Sequence, residues 1–236
     1  METFYVEPAQ VEAASLTLTG DEQRHLVRVL RAAPGQRIAV VDGAGGSYDA
    51  VIASITRDVV RCTIEQRHPG RNELPVSVTV AAALLKNPGR FDLVVEKATE
   101  LGVARIVPLR TERAIPSAAK AERWSGLALA AMKQCGRCVL PVVEAPVEFE
   151  RFVSSAPAGA LKLIPHEQAR HPIAAALSGC AGRDIVVCIG PEGGFTDGEI
   201  ALAAGAGFTP VSMGSRRLRA ETAAVTALAA VMLAVS

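Results

Sequence analysis

The residues with the clearest chemical capacity lie in two short loops toward the end of the chain. Gly190-Pro191-Glu192-Gly193-Gly194 follows one apolar run, and Met213-Gly214-Ser215-Arg216-Arg217-Leu218-Arg219 follows the next and leads into Ala220-Glu221-Thr222. Glycines let a backbone approach a ligand closely and adopt dihedrals that other residues resist. A phosphate cradle is the first candidate, but the glycine loop has no lysine, and Glu192 would oppose a phosphate while suiting a cationic or hydroxyl-bearing ligand. The dinucleotide fingerprint is also absent, because residues 190–194 lack the G-x-G-x-x-G order and the following run ends in Met213-Gly214, not in an acid that would hold a ribose. Counted alone, the glycines also fit two tight turns without a ligand, the lesser of the two readings. Arg216, Arg217 and Arg219 fit either a polyanion or a solvated loop.

Other candidates are weaker. Arg24, Arg28 and Arg31 recur at the spacing of one helix face, with Leu26, Val29 and Leu30 on the other, so that face could meet phosphates or merely keep a surface helix soluble. His25 reads as a packing or hydrogen-bonding residue. Glu96 and Glu100 could be taken for paired hydrolytic carboxylates, but with Lys97 between them they fit a solvated face or an interface network better. Cys135 and Cys138 form a C-x-x-C, yet no second pair or flanking histidines complete a zinc site, so no metal is expected.

These residues sit in a chain of 236, half hydrophobic, with 25 basic against 24 acidic side chains. Net charge therefore makes no case for a nucleic-acid partner, and any basic surface must be local. Five scattered cysteines suggest reduced thiols. Met1 is followed by Glu2 and Glu7 with no basic region or apolar core of signal-peptide length, and the greasiest run, residues 223–235, is shorter than the ~20 residues of a membrane span, so a cytoplasmic protein with no membrane partner is expected.

The patterning predicts two domains, 1–72 and 73–236, divided at the breaker-rich residues 68–75. Strand-like runs at 37–41, 48–55 and 59–64 predict a small β-sheet or barrel. Beyond residue 73, strands at 76–85, 105–109, 142–143 and 161–164 alternate with helices at 90–101 and 117–136, which predicts a mostly parallel α/β sheet. In such sheets ligands bind at the carboxyl ends of the strands, where both chemical loops would emerge. Thr196 to Glu199 has the spacing of a capping box opening the next helix.

GPEGGF with Glu199 four residues on, then MGSRRLRAETA, resembles the signature of the RsmE family of 16S ribosomal RNA uridine-N3 methyltransferases, of the SPOUT class. Glu96 to Gly102, Lys133 to Arg137 and the early HLVRVLR are similar to that family's motifs in the same order. The resemblance implies a PUA-like β-barrel RNA-binding domain, then a SPOUT domain with a carboxy-terminal trefoil knot holding S-adenosylmethionine. It implies that Gly190, Gly193 and Gly194, with Ile189, Glu192, Met213, Gly214 and Leu218, wrap that cofactor. Leu163, Pro165 and His166 would form a third wall, and Thr222 and Ala223 the start of the helix behind it. It further implies a homodimer and a substrate in 16S rRNA or the 30S subunit, met by Arg24, Arg28, Arg31, Arg216 and Arg217. Two departures, Arg217 for an aliphatic residue and Lys133 for a glutamate, add positive charge.

The chemistry then falls to Arg219 and Glu221. Uracil N3 carries a proton, so methylation there needs that proton removed. Arg219 could favour the uridine anion, and Glu221, or a water it holds, could accept the proton. The rival reading is an RNA-binding protein that keeps the fold without turnover.

Overall fold

The computed structural model describes residues 2–114 and 121–236; the predicted helix over 117–136 therefore lies partly outside the described residues. Contacts divide the chain into two units, residues 1–73 with 129–140, and residues 74–128 with 141–236.

In the first unit the strands are β1 (Thr3–Tyr5), β2 (Ser15–Thr19), β3 (Arg37–Val41), β4 (Ser47–Ile55) and β5 (Val59–Arg67), with α1 (Gly20–Arg24) between β2 and β3. They form one sheet in the order β1-β3-β4-β5-β2, parallel only between β1 and β3. The sheet curls into a PUA-like half-barrel with β1 and β2 at its two edges. Strict alternation in Ser-Leu-Thr-Leu-Thr turns Leu16 and Leu18 inward, where they pack with Phe4, Val40, Ile52 and Val60.

The arginine-bearing helix departs from its expected face. Leu26 is buried as predicted, but Val29 is 64% and Leu30 43% exposed. After α1 the winding widens over His25–Val29, where Leu30 N–H reaches back five residues to the His25 carbonyl at 3.2 Å. Wider winding shifts the i, i+3, i+4 register, so Val27 and Ala32 pack on the core in place of Val29 and Leu30. Arg31 ends the turn at φ 53°, in the left-handed region.

Residues 129–140 join the first unit through Glu73. Its carboxylate accepts from Arg137 Nη2 at 2.6 Å and from the Cys138 and Val139 amides at 2.9 Å each. Arg137 is only 2% exposed, so this is a buried ion pair with further hydrogen bonds to the carboxylate, the arrangement in which such pairs are tolerated.

The second unit contains β6 (Val78–Ala83), α2 (Pro88–Glu100), β7 (Arg105–Arg110), the first half of α3 (Ala121–Cys135), β8 (Val142–Val143), β9 (Val147–Glu148), α4 (Phe149–Ser155), β10 (Leu161–Pro165), α5 (Ile173–Ala176), β11 (Ile185–Ile189), α6 (Asp197–Gly205), β12 (Thr209–Val211) and α7 (Ala220–Val235). The sheet runs β12-β10-β11-β6-β7-β8 with β9 also on β7, and every pairing is parallel. The central strands β6 and β11 are buried along their whole length, as strands covered on both faces must be. Phe149, Phe152 and Val153 of α4 pack with Ala203 of α6 over Val107, Ile164 and Val186. Helix α7 packs on α2, β11 and β6. Among the described residues no helix is long and apolar enough to cross a membrane.

Candidate active site

Parallel strands place their outgoing loops at one end of the sheet, and here four of those loops converge on a cavity of about 360 Å³. The end of β10 and the loop after it supply Pro165, His166 and Glu167; the loop after β11 supplies residues 190–195; the loop after β12 supplies Met213, Gly214 and Arg216 to Arg219. The segment after β7 adds Arg113, and Ile189, Ala220 and Ala223 complete the wall. A volume in the ~300–1,000 Å³ range and a lining that mixes apolar groups with six charged side chains suit a polar small-molecule cofactor.

The glycine loop is held from both ends. Thr196 and Glu199 form the capping box of α6: Thr196 Oγ1 accepts from Glu199 N at 3.2 Å, and Glu199 Oε2 accepts from Thr196 N at 2.8 Å. The other oxygen of Glu199, a buried residue, accepts from Glu112 N at 3.0 Å, which ties the segment after β7 to the start of α6. Arg113 Nη1 then donates to the Gly193 carbonyl at 3.0 Å.

Two of the glycines answer to different constraints. A Cβ on Gly190 would lie 3.1 and 3.2 Å from carbons of the Phe195 ring, tight enough that packing by itself favours glycine there. A Cβ on Gly193 would meet nothing closer than the Arg113 side chain at 3.5 Å, an ordinary contact. Packing therefore does not demand glycine at 193.

Of the residues expected around a cofactor, Pro165, His166, Ile189, Gly190, Glu192, Gly193, Gly194, Met213, Gly214, Leu218 and Ala223 line the cavity. Two do not. Leu163 is fully buried within β10, and Thr222 is exposed on the first turn of α7 outside the lining. Arg216, Arg217 and Arg219 stand exposed on the wall. Arg219 is also the N-cap residue of α7, its carbonyl accepting from Ala223 N at 2.8 Å. Arg113 and Glu167 were missed by sequence reasoning, because neither belongs to a glycine loop or a charge cluster.

Glu221 lies behind this wall. It is 8% exposed, with Oε1 3.5 Å from Arg90 Nε and Oε2 buried without a hydrogen-bond partner. Arg90 stands in the first turn of α2, a helix opened by Asn87, whose side chain accepts from Gly89 N at 2.9 Å, with Pro88 next. From there its Nη1 also reaches Glu192 Oε1 at 3.6 Å.

The remaining candidates fall elsewhere. Lys97 Nζ lies 2.8 Å from both Glu96 and Glu100, and these carboxylates hold the lysine above its ordinary pKa; the three form an ion-pair network, not a pair of catalytic acids. Arg24, Arg28 and Arg31 are exposed in the first unit, where Arg24 pairs with Asp21 at 3.0 Å. Lys133 is engaged by Glu22 within the same unit.

A parallel sheet with a cofactor-sized cavity at its carboxyl ends, preceded by a PUA-like half-barrel, defines an RNA methyltransferase of the SPOUT type. Residues 72–232 match the RNA methyltransferase domain family, and residues 18–65 match the RNA methyltransferase PUA domain. The chain is 40% identical over 232 residues to ribosomal RNA small subunit methyltransferase E of a Synechocystis species, covering 95% of this chain and 75% of that protein. It is 30% identical to the protein of that name from Rickettsia conorii, covering 98% and 94%. The crystal structure of a ribosomal RNA small subunit methyltransferase E from Neisseria gonorrhoeae bound to S-adenosyl methionine superposes with a TM-score of 0.84 at 31% identity, over 99% of this chain and 97% of that one. A Legionella pneumophila structure in complex with the cofactor SAM gives 0.82 at 33% identity, over 98% and 97%. The chain belongs to the RsmE family of small-subunit ribosomal RNA methyltransferases.

Proposed function

We propose that this protein uses S-adenosylmethionine to methylate N3 of a specific uridine in 16S ribosomal RNA. The observation that carries the reading is the cavity at the carboxyl ends of β10, β11 and β12, with Gly193, where packing does not demand a glycine, in its wall and three arginines at its margin. Bound there, S-adenosylmethionine supplies a methyl group activated by its sulfonium. Ile189, Leu218 and Ala223 offer apolar surface to an adenosine, and Glu167 and Glu192 offer carboxylates to its hydroxyls or to an ammonium. The same donor set suits a phosphate-rich dinucleotide poorly, since Glu192 stands in the glycine loop itself.

The residues then divide the work. Arg216 and Arg217 hold RNA phosphates, while Arg219 lies against a uracil carbonyl and favours the anion formed as N3 loses its proton. Glu221, or a water it holds, takes that proton. Arg28 and Arg31, exposed beside the exposed Val29 and Leu30, support an RNA-binding role for the first unit. We assign the RNA-binding domain to residues 1–72 and the methyltransferase domain, with its carboxy-terminal knot, to residues 73–236. We further propose a homodimer, and work on ribosomal RNA supports a cytoplasmic location.

The deciding experiment incubates the protein with labelled S-adenosylmethionine and either 30S subunits or naked 16S rRNA, then locates the methyl group by mass spectrometry and primer extension. A single N3-methyluridine, which blocks reverse transcription at its pairing edge, is the expected product. Label on another atom or another RNA overturns the reading.

A further inference from the structure

Glu221 presents a physical problem that its own helix does not solve. A carboxylate on a residue only 8% exposed needs a cation or a full set of hydrogen bonds, and a charge buried without them is strongly disfavoured. Oε2 has no partner, one of two such buried side-chain atoms among the described residues. The first-turn position of α7 helps, since a helix amino terminus favours negative charge, but only modestly. The cation that faces it is Arg90, which comes from another helix and stands outside the cavity lining.

Arg90 is placed for more than neutralising one acid. Its Nε faces Glu221 at 3.5 Å and its Nη1 faces Glu192 at 3.6 Å, so one guanidinium joins the start of α7 to the glycine loop. The side chain is one-third exposed and springs from a capped helix terminus packed on α7. At these distances the guanidinium faces Oε1 as an ion pair longer than a hydrogen bond, and Oε2 is left without a competing donor. An acceptor that must take a proton is served by this arrangement, whereas a purely structural carboxylate would be expected to bond through both oxygens.

We propose that Arg90 is a positioning residue for the methyl-transfer reaction: shared between Glu192 and Glu221, it holds the Glu221 carboxylate ionised and oriented, with Oε2, buried and free of a competing donor, left to take the proton that leaves uracil N3 directly or through a water. In that step the N3–H bond breaks, its electron pair remains on N3, and the proton passes to Glu221 or to a water on it. The inference rests on the proposed function, and neither the glycine loops nor the arginine cluster points to it.

The test compares Arg90→Met, which keeps the aliphatic stem, with Arg90→Lys, which keeps the cation, alone and in a Glu221→Gln background. Single-turnover methylation of the RNA substrate should fall at least about tenfold in Arg90→Met, a part of the ~10²–10⁴ attributed to a general base. Arg90→Lys should recover most of that loss, and calorimetric affinity for S-adenosylmethionine should stay within about threefold of wild type, since Arg90 is not in the cavity lining. With Glu221→Gln present, Arg90→Met should cost nothing further, because both changes remove one device. In the free protein, amide exchange at residues 219–223 should quicken in Arg90→Met and return toward wild type in the double variant, where a neutral amide no longer needs the cation. Multiplying rate losses, unchanged exchange, or a Glu221→Gln enzyme of normal rate overturns the proposal. Failure of the wild-type protein to methylate ribosomal RNA would strike the function itself, while the exchange measurement would still report whether Arg90 holds Glu221.

Discussion

Adding one methyl group at Gly190 and one at Gly193 should produce opposite phenotypes. At position 190 a Cβ would lie 3.1 and 3.2 Å from Phe195 ring carbons and 3.3 Å from its backbone nitrogen. Phe195 cannot withdraw, being 4% exposed and packed against Phe149 with ring centroids 5.0 Å apart. Overpacking of this kind costs about 1–3 kcal/mol. At roughly 2–4 °C per kcal/mol for a protein of this size, Gly190→Ala should melt roughly 2–12 °C lower. At position 193 the nearest atoms are Arg113 Cβ and Cδ at 3.5 Å, and the backbone is not left-handed, so Gly193→Ala should change stability by no more than about 0.5 kcal/mol. If the cofactor packs on that backbone, the same methyl intrudes on the ligand instead. An overpacking cost of about 1–3 kcal/mol then becomes a loss of roughly 5- to 150-fold in affinity. Thermal melting without ligand and calorimetry with S-adenosylmethionine and its demethylated product separate the two effects. A Gly193→Ala protein that binds within twofold of wild type, or a bulkier Gly193→Val that also does, refutes the proposed cofactor surface. A Gly193→Ala protein that melts as low as Gly190→Ala refutes the steric reasoning.

Arg219→Ala should lower the single-turnover rate by ~10²–10³, as loss of an anion-stabilising donor typically does, with a much smaller change in cofactor affinity. With chemistry limiting, the wild-type rate should rise with pH from neutral into the mildly alkaline range as uracil N3 becomes easier to deprotonate; a flat profile argues against proton removal in the rate-limiting step. Replacing Arg28 and Arg31 together by alanine should weaken RNA binding and reduce the magnitude of its salt slope by roughly one for each phosphate that the two arginines neutralise, measured by fluorescence anisotropy over a salt series. Burial pushes the Cys62 thiol up to about 11 and raises Cys188 as well, while Cys138, also raised by burial, donates to the Arg71 carbonyl at 3.2 Å. Alkylation of the native protein at pH 8 should therefore reach half-buried Cys135 first, and mapping by peptide mass should show no preferential labelling of Cys138 as part of a reactive pair.

What could be read in advance was whatever local sequence determines. The start of α6 was legible because a capping box is complete within four residues, and β6, β7, β10 and β11 because buried parallel strands leave continuous apolar runs. The half-barrel was legible only in its middle. β1 is three residues long and owes its existence to parallel pairing with β3, more than thirty positions later, so Thr-Phe-Tyr carries no pattern of its own. The widened turn after α1 was equally hidden. Leu26, Val29 and Leu30 satisfy an ideal helical stripe, and only the five-residue bond from Leu30 to His25, followed by left-handed Arg31, shows that the backbone abandons it.

The site divides along the same line, and the division bears on how it works. Glycine loops announce themselves, since a turn and a close approach are written in consecutive residues. The charges that discipline those loops are not consecutive with them. Arg113 comes from the end of β7 and bonds to Gly193, eighty positions on; Arg90 comes from the start of α2 and reaches Glu192 and Glu221. Neither arginine has a signature, because what each recognises is assembled by the sheet order β10-β11-β6-β7, in which β6 and β7 from early in the second unit adjoin β10 and β11 from much later. The consequence is a cavity whose wall carries Arg113, Arg216, Arg217 and Arg219 against Glu167 and Glu192, within a chain whose basic and acidic residues number 25 and 24. A whole-chain charge near zero thus conceals a local excess of cations at the cavity. Since screening confines electrostatic attraction to about 8 Å at physiological ionic strength, it is this local excess, not the chain's net charge, that a phosphate backbone would meet.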